Sequence, residues 1–146
     1  MKKIYMVLIL LSFACKSGEE AVVTQQKEPL LHYSKGPCLG RCPVYDFWVY
    51  HDGNFIYKKV NGIKSNREIT GKLTSEKMKK LKISLKNDLG EPVLFKKVRD
   101  MPISKLRFNG KKYEYHSTKI KDGLKRTNIL IEGMIAEIIT GQQLGR

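Results

Sequence analysis

Two cysteines, Cys38 and Cys42, stand in the stretch GPCLGRCPVYDFWVYHDGNFIYKK, Gly36–Lys59. Thiols at this spacing offer three chemistries. Bonded to each other, they staple a loop. Kept reduced with a lowered thiol pKa, they exchange disulfides. Joined by histidine, they hold copper or zinc. Gly36, Pro37, Gly40 and Pro43 make the kind of tight loop that brings two Cα atoms within disulfide reach. Exchange sites use CxxC at a helix start, where the dipole favours the thiolate. Here the spacing is one residue longer, Pro43 follows, a strand comes next, and Arg41 is the single helpful charge. The histidines are His32, His51 and His116, and none has ligand spacing to a cysteine or to another histidine. A disulfide between Cys38 and Cys42 is therefore the expectation. A thiol-redox or copper/zinc protein working through the same pair is the alternative.

Other chemistry leaves no trace in the chain. There is no hydrolase elbow, glycine-rich phosphate loop or HExxH. Asp46, Asp52, Asp88, Asp100 and Asp122 are scattered, and most fall where turns and caps need them. Asp46 lies inside an aromatic strand and needs a partner or an exposed face; exposure is expected. No catalytic residue, metal ligand set or cofactor site emerges, and the expectation leans away from an enzyme.

The front of the chain speaks to location. Lys2 and Lys3 precede an apolar run, Ile4–Ala14, too short to span a bilayer. The run ends on Ala14-Cys15, which looks like a bacterial lipoprotein signal, although Ser12 occupies a place that usually carries leucine. On that reading residues 1–14 are removed and Cys15 carries the lipid. Residues 15–28 are polar and without period, a flexible tether. Glu19 and Glu20 resemble the surface-export signals of Bacteroidota lipoproteins.

Residues 29–141 are long enough to form one domain with its own core, followed by a short tail at 142–146. The chain holds 28 Lys+Arg against 14 Asp+Glu, a net charge of +14. Such a balance favours anionic partners. Most of it is dispersed lysine, with no arginine-rich run and no nucleic-acid module, so nucleic acid is not expected as a partner.

The elements follow from period and punctuation. Leu30, Leu31 and Tyr33 begin a strand. Val44–Tyr50 is aromatic and β-branched, with Tyr45, Phe47 and Val49 on one face and Val44, Trp48 and Tyr50 on the other. Asp52-Gly53 turns it into NFIYKKV, and NREITGKL supplies a further short strand. Thr74 or Ser75 caps a helix over Ser75–Asp88, with Met78, Leu81 and Leu85 as its buried stripe. A second hairpin turns at Asn109-Gly110. The last helix, Leu124–Thr140, buries Ile131, Met134, Ile135 and Ile138. Strands, helix, strands, helix predict an α+β domain, an antiparallel sheet with two helices packed on one face.

Gly36–Tyr57 resembles a family of bacterial secreted and lipoprotein domains of unknown function, marked by GPCxGxCPxY, a D-G turn and an aromatic return strand. Pro37, Cys38, Gly40, Cys42, Pro43, Tyr45, Asp52 and Gly53 carry the resemblance. Asp100 and Pro102 fit it more loosely. It implies a small exported α+β domain and no particular activity. Together these features predict a lipid-anchored protein of the cell envelope, of outer-membrane type, with a stapled loop. A binding surface is expected at Tyr45, Phe47, Trp48 and Tyr50. An acidic or glycan envelope component would suit those aromatics and the lysines around them.

Overall fold

The computed structural model describes residues 28–60, 68–87, 89–90 and 96–144. The expected signal, Cys15 and nearly all of the tether lie outside these described residues.

Six strands form a single antiparallel sheet: β1 (Pro29–Lys35), β2 (Tyr45–Tyr50), β3 (Asn54–Lys59), β4 (Glu68–Lys72), β5 (Ser104–Phe108) and β6 (Lys111–Tyr115). Their order across the sheet is β4-β3-β2-β1-β5-β6. The first strand in sequence is thus central, paired with β2 on one side and β5 on the other. Two helices, α1 (Ser75–Lys86) and α2 (Asp122–Leu144), complete the α+β fold.

Local sequence explains the two tight hairpin turns and the cap of α1. Gly53 sits at φ 87 between β2 and β3, where an L side chain would be strained. Its N–H donates to the Tyr50 carbonyl, and the Asp52 carboxylate accepts from the Asn54 N–H. Between β5 and β6, Asn109 and Gly110 both take positive φ, the signature of a two-residue hairpin whose twist matches its strands. Thr74 caps α1, its Oγ1 accepting from the Lys77 N–H. The helix stops at Lys86, short of the expected Asp88, because Asn87 is extended. The last helix begins earlier and ends later than its apolar stripe predicts.

Strand alternation sorts the side chains. One face carries Leu31, Tyr33, Phe47, Val49, Tyr57, Leu106 and Tyr113, all buried. Met78, Leu81 and Leu85 of α1, and Ile131, Met134 and Ile135 of α2, close over it. Gly71 lets the Phe55 ring lie against the β4 backbone: a Cβ there would stand 2.8 Å from the ring. The helices run antiparallel, since Ser84 meets Thr127 while Lys77 meets Glu137. Among the described residues, no helix packs on the opposite face of the sheet.

Candidate functional site

The uncovered face is built from alternate residues of the same strands. Cross-strand register places Thr70, Ile56, Trp48, His32, Arg107 and Lys112 in one row. The neighbouring row is Glu68, Lys58, Asp46, Ser34, Lys105 and Glu114. At the centre, the His32 ring stacks on Trp48, with centroids 4.8 Å apart and planes within 6°. His32 Nε2 also bonds Asp46 Oδ1 at 2.7 Å. The three residues therefore form one ordered unit: the carboxylate fixes the imidazole, and the imidazole fixes the indole. Each is half-buried by its neighbours, so part of the unit still faces solvent.

Cations border it. Arg107 stands directly opposite His32 on β5 and is exposed. A shallow recess of about 460 Å³ lies beside the stack, lined by Trp48, His32, Arg107, Lys111, Lys112 and the Asn109-Gly110 turn, with Glu28 as a carboxylate at its edge. Glu114 is engaged by Lys112 at 2.7 Å, with Lys105 at 3.8 Å, and the Lys112 bond holds its carboxyl below the usual range. An aromatic centre with a positive border is suited to binding a polar anionic molecule.

The covered face presents different chemistry. The Tyr33 hydroxyl lies 3.1 Å from Ser104 Oγ, 3.0 Å from Asn128 Oδ1 and 2.7 Å from Glu132 Oε1. Tyr115 donates to the same Asn128 oxygen, and Lys35 Nζ reaches Glu132 at 2.6 Å. Tyr45 packs beside Tyr33 and Tyr57. Burial pushes the Tyr33, Tyr45 and Tyr115 hydroxyls well above the ordinary phenol range. Tyr33 and Tyr115 act as neutral donors that tie α2 to the sheet, and all three hydroxyls are unsuited to proton transfer near neutral pH.

The four aromatics of the expected binding surface divide accordingly. Trp48 and Tyr50 lie on the uncovered face, half-buried. Tyr45 and Phe47 point under the helices, 6% and 0% exposed, and cannot form a surface with them. Period-two alternation puts adjacent strand residues on opposite faces.

Cys38 and Cys42 stand at disulfide distance, with Cα atoms 5.7 Å apart. The Gly40 N–H points at Cys38 Sγ, 3.3 Å away, inside an exposed loop with Leu39 at its tip. Among the described residues no three His, Cys, Asp or Glu side chains converge as a metal site. The histidines have separate settings. His51 is exposed in the β2–β3 turn, and His32 is held by Asp46. His116 is buried: its Nδ1 bonds the Pro102 carbonyl and its Nε2 accepts from the Val98 N–H. Those two bonds assign the Nδ1–H tautomer and a clamp on the loop before β5. Asp46, expected to be simply exposed, is instead half-buried and partnered by His32.

The His32–Asp46–Trp48 unit and the placement of Arg107 escape sequence reading. Their signal was the polar member of each alternating strand, but only the strand order brings Arg107 beside His32. No helix among the described residues is long and apolar enough to cross a membrane. No curated protein matches the chain. Residues 29–139 match the family model "Domain of unknown function (DUF6438)", and the chain belongs to that family.

Proposed function

We propose that this protein is a non-enzymatic binding module of the cell envelope, anchored through a lipid on Cys15, that recognises an acidic glycan with its uncovered sheet face. The observation that carries the reading is the ordered His32–Trp48 stack, bordered by Arg107 and lysines on a face that neither helix covers. An open antiparallel sheet offers repeated side chains to an extended polymer. Aromatic rings give apolar contact, and cations match carboxylates along a uronic-acid chain. The Cys38–Cys42 loop sits at the far end of the sheet and serves as a staple.

Trp48 is the sole tryptophan, so its fluorescence reports on this face alone. Titrating the protein with polygalacturonate should shift Trp48 emission, and Arg107→Gln should weaken the titration severalfold. Neutral dextran should leave the emission unchanged. An emission indifferent to polygalacturonate, or a dextran response of equal size, overturns the glycan reading. Intact mass of the membrane-extracted protein tests the anchor: diacylglycerol mass on Cys15 is expected, and an unmodified Cys15 overturns it.

A further inference from the structure

A second basic surface lies away from the uncovered face, at the end of the sheet where the chain enters. Pro29, the first residue of β1, pairs with Tyr50. Tyr50 leads into the β2–β3 turn, whose Gly53 carbonyl receives the Leu73 N–H just before α1. The chain entry, this turn and the start of α1 thus share one end. Between the turn and the outer face of α1 runs an open groove of about 500 Å³. Lys72, Lys79, Lys82 and Lys86 line it, all exposed, with Asp52 as the only carboxylate among the described residues that line it.

The lysines of α1 fall into two sets. Lys77 is tied to Glu137, and Lys80 to Glu76, so their charges are matched locally. No carboxylate of the described residues pairs with Lys72, Lys79, Lys82 or Lys86. Among them stands Ile83, 53% exposed, an apolar side chain at the centre of a cationic ridge. Flexible lysine stems around one aliphatic group suit the boundary between headgroups and acyl chains.

We propose that this groove is a membrane-contact surface, which seats the domain on anionic phospholipid headgroups at the end that faces its own anchor. The inference rests on the Cys15 anchor of the proposed function, and the tether supports the choice of partner. From Cys15 to Glu28 the chain can span at most about 45 Å. The groove is thereby held near the bilayer at high effective concentration. Each lysine at an anionic surface contributes only a modest attraction, and four together suffice once the domain is tethered. Lipid and basic patch then act as two signals, the lipid for retention and the patch for orientation.

Lysine footprinting tests this on the full membrane-extracted protein. It is reconstituted in vesicles of phosphatidylcholine alone, or with about a third phosphatidylglycerol, and acetylated with a water-soluble amine reagent. Labelling of Lys79, Lys82 and Lys86 should fall about fivefold or more on the anionic vesicles. Lys119 and Lys121, beyond the opposite end of β6, should label equally on both. High salt should abolish the difference. The exposed substitutions Lys79→Gln, Lys82→Gln and Lys86→Gln together should return Lys72 labelling to its neutral-vesicle level without unfolding the protein. Equal labelling on both vesicles overturns the proposal. So does protection by soluble polygalacturonate with none from anionic vesicles, which would make the groove a polymer site. If Cys15 carries no lipid, the anchor reading fails by itself. The same full chain mixed with the same vesicles then decides the groove: protection supports it and its absence overturns it.

Discussion

The two faces of the sheet use the same strands for opposite purposes. Under the helices, alternate residues are aliphatic or phenolic, and the buried polar atoms are bonded: Tyr33 and Tyr115 to Asn128, Tyr33 to Glu132, Ser84 to Thr127. On the uncovered side, the residues between them are imidazole, indole, guanidinium and carboxylate, half in water. Phe47 and Trp48 are adjacent in sequence and belong to different environments. The contrast teaches that stability is concentrated on one face, which leaves the other free to carry groups whose charge would be costly to bury.

The sharpest test separates those neighbours. Phe47→Ala should cost about 3–5 kcal/mol in chemical denaturation, the range for a large ring removed from a packed core. Trp48→Ala should cost well under half of that, and equal losses would break the comparison. Alkaline titration comes next. Tyr33, Tyr45 and Tyr115 hold their protons in the fold above the pH at which unfolded tyrosine releases them, near 10. Their contribution is complete below that pH and is lost as pH rises towards their folded values. Thermal melts above pH 10 should therefore lose stability, with each of the three adding a slope of about 1.4 kcal/mol per pH unit. Absorbance at 295 nm should show them titrating only with unfolding; early titration of all seven tyrosines would contradict the covered face as described.

Tyr33→Phe removes one hydroxyl from three polar neighbours and should cost about 2–3 kcal/mol by urea denaturation. Replacing both Cys38 and Cys42 by serine serves as a control off both faces, at about 2 kcal/mol for so short a loop. That loss should add to the Tyr33→Phe loss, since the sites are separate. The smallest effect belongs to Asp46→Asn. It should change stability by less than about 1 kcal/mol, while freeing His32 and altering Trp48 emission. A loss as large as that of Tyr33→Phe would mean that the uncovered face is also structural.

Much of this architecture is legible along the chain, and the remainder has identifiable reasons. Asp52-Gly53 and Asn109-Gly110 mark their hairpins because positive φ selects for those residues. Thr74, Met78, Leu81 and Leu85 mark α1, because cap and stripe are local. The pairing of Leu31 with Phe108 is not local, and alternation gives a strand its faces without telling it which neighbour to choose. The His32–Asp46 bond depends on β1–β2 register across the cysteine loop. The burial of His116 depends on a carbonyl and an N–H from an irregular segment, which no side-chain pattern announces.

The central position of β1 also bears on how the chain is made. Its first partner, β2, follows at once, but its second, β5, begins only at Ser104. A growing polypeptide can pair β1 with β2, β2 with β3 and β3 with β4 while the other edge of β1 stays bare. That edge presents unsatisfied backbone groups until synthesis passes residue 108. A product ending before β5 would carry an open template for pairing with other chains. The domain therefore completes its fold late in synthesis, through closure of a loop from Lys35 to Ser104, and premature termination is its main aggregation hazard.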